Sequence, residues 1–115
     1  AGWAGMNFAF IGRPAQYHHP SSTPEALEQA AQARRERSLL RDRLKHGRTT
    51  LAEALRTADT DQVIARMRVV TVLESLPGIG PARARRVMAE LDIADSRRLR
   101  GLGPHQRAAL IERFT

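Results

Sequence analysis

With 115 residues, 42% of them hydrophobic, and no cysteine, the chain suits one small domain with an aliphatic core, and it excludes a disulfide framework or a thiolate metal site. No apolar run approaches the ~20 residues that a transmembrane helix needs, so we expect no membrane partner. Nineteen basic residues, all but Lys45 arginine, oppose twelve acidic ones, and the resulting net charge of +7 indicates a polyanionic partner, meaning nucleic acid before a membrane.

Residues 1–22 show neither helical nor strand periodicity, and they contain three glycines and two prolines. We predict that this segment is a flexible tail outside the fold, and Met6 is a candidate translation start. The pair His18-His19 has no acidic or cysteine partner nearby, so we interpret it as tail sequence and expect no metal site.

Residues 23–46 are predicted to form one long helix, because they are rich in Ala, Leu, Arg and Glu. Ser22 and Glu25 have the spacing of a capping box, and Gly47 suits the C-terminal stop. An apolar stripe is predicted at Leu27, Ala30, Ala31, Ala33, Leu40 and Leu44. The basic residues largely lie on other faces, where they form either a phosphate-facing flank or an ordinary solvated surface; they are Arg34, Arg35, Arg37, Arg41, Arg43 and Lys45.

Capping signals predict two short helices in the segment after Gly47. Thr50 with Glu53 forms another capping box before LAEALRTA, and Asp59 or Thr60 is expected to cap DQVIARM. Both segments have apolar residues at helical spacing, so we predict that both pack against a common core.

The segment VVTVLESL, residues 69–76, has β-branched residues that would also suit a strand. We predict a helix instead, because Thr71 and Glu74 repeat the capping-box spacing and no second strand is available for pairing. Pro77 disfavours helical geometry at the residue before it, so the helix is expected to end there.

A tight turn follows in LPGIGPARARRV, residues 76–87. Gly78 and Gly80 permit positive φ and leave their backbone N–H groups uncovered, while Ile79 is expected to insert into the core. Pro81 suits the first position of a new helix. We therefore predict a helix–hairpin–helix in which Pro77, Gly78, Ile79 and Gly80 present backbone donors to a phosphate.

The helix after the hairpin separates apolar and basic residues. Its core face is predicted at Ala84, Val87, Met88 and Leu91. Arg83, Arg85 and Arg86 point elsewhere, so we predict that they neutralise the phosphates next to the one held by the hairpin.

A second basic cluster, Arg97, Arg98 and Arg100, follows a cap predicted at Asp95 or Ser96. No acidic residue is interspersed among these arginines, which favours contact with phosphates or the minor groove over a solvated turn. Gly101-Leu102-Gly103 and Pro104 then open a last helix, with Leu110, Ile111 and Phe114 facing the core.

Three stretches together resemble the actinobacterial integration host factor family: AQARRERSLLRDRLKHG, VIARMRVVTVLESLPGIGPARARRVM and SRRLRGLG with the final RAALIERF. The resemblance covers nearly all of residues 23–115. It implies an all-α fold, with a long N-terminal helix at 23–46 and a compact DNA-binding bundle at 47–115 that contains a helix-two-turns-helix core. The departures are the additional residues 1–22 and Pro81, where relatives often carry lysine.

The resemblance also implies the function. Members of this family are monomeric nucleoid proteins of the cytoplasm that bind duplex DNA with little sequence preference, bend or compact it, and assist phage integrase complexes. Their DNA-contacting arginines correspond to Arg97, Arg98 and Arg100, and their hairpin to residues 77–80. No cofactor is implied.

Two other functions are known for proteins with a similar hairpin. A ribosomal protein with the same hairpin core would bind rRNA, but this chain ends at IERFT without a long basic tail. A DNA glycosylase would need a catalytic Asp after the hairpin, and Asp92 and Asp95 are better explained by capping. We therefore expect no catalytic residue and no enzyme activity.

Overall fold

The computed structural model describes residues 23–115, so the predicted tail at 1–22 lies outside the described residues. Within 23–115 the structure is all-helical, with no β-strand, which confirms the predicted fold class. The elements are α1 (Pro24–Lys45), α2 (Leu51–Ala58), α3 (Gln62–Ala65), α4 (Val69–Glu74), α5 (Pro81–Glu90), a 3-10 helix (Leu99–Gly101) and α6 (Pro104–Arg113). None of these helices has the length and apolar character needed to span a membrane.

The chain separates into two units, residues 1–32 and residues 33–115, and the basic residues considered below lie in the second. The boundaries predicted at residues 22 and 46 remain predictions. In the first unit, Leu27 is 55% exposed, so the apolar stripe predicted along α1 is wrong at this position. In the second unit, Leu40 and Leu44 of the same stripe are buried in the core.

Both ends of α1 are fixed by local hydrogen bonds. Thr23 Oγ1 accepts from the Ala26 N–H at 3.1 Å, and Pro24 occupies the first helical position. The predicted capping residue Ser22 lies outside the described residues. At the other end, Gly47 has φ +69°, and the backbone N–H of Arg48 donates to the Arg43 carbonyl at 2.8 Å. This geometry confirms the predicted C-terminal stop.

The capping box of α2 is confirmed. Thr50 Oγ1 accepts from the Glu53 N–H at 3.1 Å, and the Glu53 carboxylate accepts from the Thr50 N–H at 3.2 Å. Two hydrogen bonds hold the pKa of Glu53 below its usual value. The larger effect comes from the Thr49 hydroxyl and the smaller from the Thr50 N–H.

The cap of α3 is Asp61, not Asp59 or Thr60 as predicted. Its carboxylate accepts from the N–H groups of Val63 at 2.9 Å and Ile64 at 3.4 Å. Asp59 instead forms a bidentate ion pair with Arg107 of α6, with both N···O distances 2.8 Å. The hydrogen bond from the Arg107 guanidinium lowers the pKa of Asp59. Because its carboxylate is engaged in this tertiary contact, Asp59 does not cap α3.

Helix α4 forms where a helix was predicted, but its start differs. It begins at Val69, so Thr71 lies inside the helix and the predicted Thr71–Glu74 capping box is wrong. The Val69 N–H donates to the Arg97 carbonyl at 2.9 Å, and the Leu99 N–H donates to the Met67 carbonyl at 2.9 Å. These two bonds form an isolated antiparallel bridge between Arg68 and Arg98, which caps α4 through a tertiary contact.

The core of residues 33–115 is aliphatic. Every helix from α1 to α6 contributes to it, with Leu44, Leu55, Ile64, Leu73, Met88 and Leu110 among the largest fully buried side chains. Ile79, Leu91, Ile111 and Phe114 are half-buried and pack against this cluster. The predicted inward faces of α5 and α6 are therefore confirmed, and their basic residues remain on the surface.

Candidate nucleic-acid interface

The hairpin between α4 and α5 has the predicted form. Gly78 has φ +76°, which a residue with a side chain adopts only with strain. Gly80 has φ −90° and is the extended N-cap of α5, so only one of the two glycines uses the positive φ that both permit. Pro81 is the first residue of that helix, and Ile79 packs against the core as predicted.

The hairpin leaves backbone donors unpaired. Within residues 23–115, the N–H groups of Gly78 and Gly80 have no hydrogen-bond acceptor, and the first intrahelical bond of α5 is the Ala84 N–H to the Gly80 carbonyl at 3.0 Å. The N–H groups of the first turn therefore face outward beside Pro77 and Gly78, which are exposed. This arrangement can accept an anion such as a phosphate oxygen.

Helix α5 carries three of the predicted arginines. Arg83, Arg85 and Arg86 are all exposed, while Ala84 and Val87 on the opposite side are buried. None of the three arginine side chains forms a hydrogen bond or ion pair with another described residue. Their charges are thus available to an external anion.

The cluster at 97–100 is held differently. Neither Asp95 nor Ser96 caps a helix, so that prediction was wrong. The physical reason is that Arg98 is extended and pairs with the segment around Arg68, and only Leu99–Gly101 forms a short 3-10 helix.

Arg97 folds back over the turn that follows it. Its Nη1 donates to the Gly101 carbonyl at 2.5 Å. A Cβ placed on Gly101 would lie 3.0 Å from the Arg97 Cδ, which is closer than a side chain normally tolerates. Glycine at 101 therefore permits the close approach that fixes the Arg97 side chain.

Arg98 is fixed by both its backbone and its side chain. Beyond the bridge to Arg68, its Nη1 donates to the Arg66 carbonyl at 2.6 Å. By contrast, the exposed Arg100 side chain forms no hydrogen bond or ion pair with the rest of residues 23–115. The three predicted arginines therefore differ: two are anchored to carbonyl groups and one is unconstrained.

Some of the predicted residues border two adjacent clefts, which share Ser38 and Arg41. The hairpin residues 77–80 border a cleft of about 730 Å³, together with Ser38, Arg41 and Lys45 of α1. Two carboxylates, Asp42 and Glu74, also line this cleft, so its potential is mixed. Arg83, Arg85 and Arg86 are outside it.

The second cleft brings together Arg34 and Arg98, which are 64 positions apart in the sequence. We call it the arginine groove, and it has a volume of about 470 Å³. Its arginines are Arg34, Arg37, Arg41, Arg66, Arg68 and Arg98, and no carboxylate lines it. Arg35, also predicted, is exposed on α1 but is not part of this groove.

Sequence reasoning missed Arg66 and Arg68, which join the groove only through tertiary packing. Arg37 and Arg41 belong to the flank predicted on α1, where positions 34, 37 and 41 have the i, i+3, i+7 spacing of one helix face. Within residues 23–115 no cluster of His, Asp or Glu has the arrangement needed to hold a metal ion.

Comparison with known proteins identifies the family of the chain. Residues 44–114 match the family described as the S13-like H2TH domain. A protein named Integration host factor from Mycolicibacterium smegmatis is 54% identical over 89 residues, covering 77% of this chain and 85% of that protein. Proteins of the same name from Mycobacterium tuberculosis and Streptomyces coelicolor are 53% and 48% identical, with 85% and 92% of their lengths covered.

A solved structure described as "Structure of sIHF bound to an 8bp palindromic DNA" is also similar. It has a TM-score of 0.75 and 46% sequence identity, and the match covers 76% of this chain and 99% of that one. The chain therefore belongs to the integration host factor family of mycobacteria and streptomycetes, whose core is a helix-two-turns-helix domain.

Proposed function

We propose that this protein binds double-stranded DNA through the phosphate backbone, with little sequence preference, as a nucleoid-associated protein. The observation that carries the proposal is the 46% identity to sIHF over 99% of its solved chain, because that structure contains DNA. The excess of basic residues supports the same conclusion, since a duplex attracts a basic surface irrespective of sequence.

The hairpin and the arginines have complementary roles in this proposal. The unpaired N–H groups at Gly78 and Gly80 and in the first turn of α5 hold one phosphate. The remaining predicted residues neutralise neighbouring phosphates or enter the minor groove, and they are Arg34, Arg35, Arg83, Arg85, Arg86, Arg97, Arg98 and Arg100. Pro77 and Ile79 position the hairpin. Pro77 prevents the preceding helix from continuing, and Ile79 packs against the core.

The anchoring of Arg97 and Arg98 supports their assignment to this surface. A guanidinium group has five N–H donors, and each of these side chains donates one to a backbone carbonyl. The other donors remain for a phosphate or a base edge. Because the side chains are already held in place, little rotamer entropy is lost on binding.

The further properties implied by the family are part of the proposal. They are that the protein bends the duplex, acts in the cytoplasmic nucleoid as a monomer without enzymatic activity, and assists a phage integrase complex.

A competition shift assay at physiological salt tests the proposal. A labelled duplex of mixed sequence is challenged with unlabelled duplex, single-stranded DNA or a structured rRNA fragment. We expect unrelated duplexes to compete equally and both other nucleic acids to compete at least about tenfold more weakly. Stronger competition by the rRNA fragment would overturn the proposal in favour of the ribosomal alternative.

A further inference from the structure

The arginine groove concentrates positive charge in a small volume. Six guanidinium groups from three parts of the chain converge on about 470 Å³, and no carboxylate lines the groove. Arginine remains charged throughout the physiological pH range, so these six groups repel one another unless an anion lies between them. The groove is therefore complementary to a ligand with several negative charges in a small volume.

Three arginine side chains of the groove form hydrogen bonds. Arg98 donates to the Arg66 carbonyl at 2.6 Å, and Arg41 Nε donates to the hydroxyl of Ser75 at 3.3 Å. Arg66 Nη2 donates to the Gln62 side-chain oxygen at 3.3 Å. Ser75 is itself buried and donates to the Thr71 carbonyl at 2.9 Å. The groove is thus partly organised before any ligand enters, which lowers the entropic cost of binding.

The size and composition of the groove favour a small ligand. Its volume lies within the range of about 300–1,000 Å³ that is typical of small-molecule sites. Val63 and Met67 provide an apolar surface beside the arginines, and the planar guanidinium groups can stack on an aromatic base.

A small ligand with linked phosphates differs from a DNA duplex in the density of its negative charges. Each nucleotide of a DNA strand carries one charge and is separated from the next by about 3.4 Å along the axis, with a sugar between the phosphates. A linear polyphosphate instead joins its phosphates through shared oxygens. It therefore places two or three charged groups within reach of the arginines that line one groove.

We propose that the arginine groove binds a chain of two or more linked phosphates, as carried by a nucleoside di- or triphosphate or by inorganic polyphosphate. Arg34 and Arg98 belong both to this groove and to the proposed DNA surface. Occupation of the groove by polyphosphate therefore weakens DNA binding, and this regulatory consequence rests on the proposed DNA-binding function.

Calorimetric titration of the DNA-free protein tests ligand binding without reference to DNA. The probes are sodium tripolyphosphate, ATP, AMP and orthophosphate, at matched ionic strength. We expect saturable 1:1 binding of tripolyphosphate and ATP, at least about tenfold tighter than binding of AMP or orthophosphate. Equal affinity for tripolyphosphate and ATP assigns recognition to the phosphate chain, while tighter binding of ATP indicates that the groove also contacts the nucleoside.

A double variant and a matched control locate the site. Arg37→Gln with Arg68→Gln removes two groove arginines whose side chains form no hydrogen bond with other described residues, and it should weaken tripolyphosphate at least about tenfold. Arg48→Gln removes an exposed arginine that is not part of the groove, and it should change this affinity less than about twofold. Circular dichroism confirms that each variant is folded.

Three outcomes would overturn the inference: no saturable binding of tripolyphosphate, equal affinity for orthophosphate, or an equal loss in Arg48→Gln. If tripolyphosphate fails to bind while Arg37→Gln with Arg68→Gln weakens duplex binding, the groove is a DNA surface. If tripolyphosphate binds but no duplex does, the proposed function fails and the ligand site stands.

Discussion

The Nη1 atom of Arg98 lies 2.6 Å from the carbonyl oxygen of Arg66, a residue 32 positions earlier in the chain. This hydrogen bond joins a predicted DNA-binding arginine to the segment between α3 and α4. Arg98 therefore contributes to the fold as well as to the basic surface. Arg100, two residues later, has no such bond within residues 23–115.

Substitution of Arg98 and of Arg100 distinguishes the contribution of an arginine to stability from its contribution to DNA binding. We expect Arg98→Ala to lower the free energy of unfolding by about 1 kcal/mol, because one charge-assisted hydrogen bond is lost. In a domain of this size that corresponds to a fall of about 4–8 °C in Tm. Arg100→Ala should leave Tm within about 1 °C, since it removes only an exposed side chain.

Both variants should weaken binding to unrelated duplexes by similar factors, and melting curves with shift assays measure the two effects. Equal Tm values for Arg98→Ala and Arg100→Ala would contradict the structural role of Arg98. A loss of affinity confined to one DNA sequence would instead indicate base readout.

The two hairpin glycines should differ in their tolerance of a side chain. Gly78→Ala places a side chain at φ +76° and should lower the free energy of unfolding by about 1 kcal/mol. Gly80→Ala is the matched control, because its φ is −90° and no atom lies within 4 Å of the added Cβ. Denaturant titration of both variants checks this, and equal destabilisation would show that Gly80 is also strained.

Ionic strength should control DNA affinity. If the proposed surface neutralises four to six phosphates, the logarithm of the binding constant should fall against the logarithm of salt concentration with a slope of roughly −4 to −5. Arg100→Ala should reduce the magnitude of this slope by about 1. Fluorescence anisotropy at four or more salt concentrations provides the measurement, and an affinity independent of salt would rule out the electrostatic mechanism.

The Asp59–Arg107 ion pair should make stability depend on pH. The pKa of Asp59 is lowered in the folded protein, so its stabilising effect is complete above the unfolded pKa of about 3.9 and is lost as pH falls through the folded value. The difference in Tm between the native protein and Asp59→Asn should therefore be constant from about pH 5 to 7 and should shrink toward pH 3. A difference in Tm that is constant from pH 3 to 7 would show that the charge of the Asp59 carboxylate does not contribute to stability.

DNA bending is expected from the family and can be measured directly. A duplex shorter than the persistence length of about 150 base pairs circularises slowly by itself, because bending it costs elastic energy. We expect the protein to accelerate ligase-mediated minicircle formation on such a duplex. Arg97→Ala combined with Arg98→Ala should reduce the acceleration in proportion to the loss of binding, and an unchanged rate with saturating native protein would exclude bending.

Local signals in the sequence predicted much of the fold. The capping box of Thr50 and Glu53, the positions of Pro81 and Pro104, and the stop at Gly47 depend on neighbouring residues, and all four are confirmed. Predictions failed where a distant residue competes for the same group. Asp59 is paired by Arg107 and does not cap α3, and the start of α4 is set by the Arg97 carbonyl and not by Thr71.

The same distinction applies to the candidate surface. The arginines on α5 and in the 97–100 cluster are adjacent in sequence, so their charge density is evident without a structure. The arginine groove depends on the packing of α1 through Leu40 and Leu44, which brings its basic face beside the segment 66–68. No local pattern specifies that convergence.

The bridge between Arg68 and Arg98 has a kinetic consequence. The N–H groups of Val69 and Leu99 are hydrogen-bonded across it, and both residues are buried. Because both residues are buried, exchange of these N–H groups with solvent deuterium requires an opening of the core. The segment around Arg98 should therefore separate from α4 no faster than the core opens, and these two amides should exchange more slowly than those of the exposed turns.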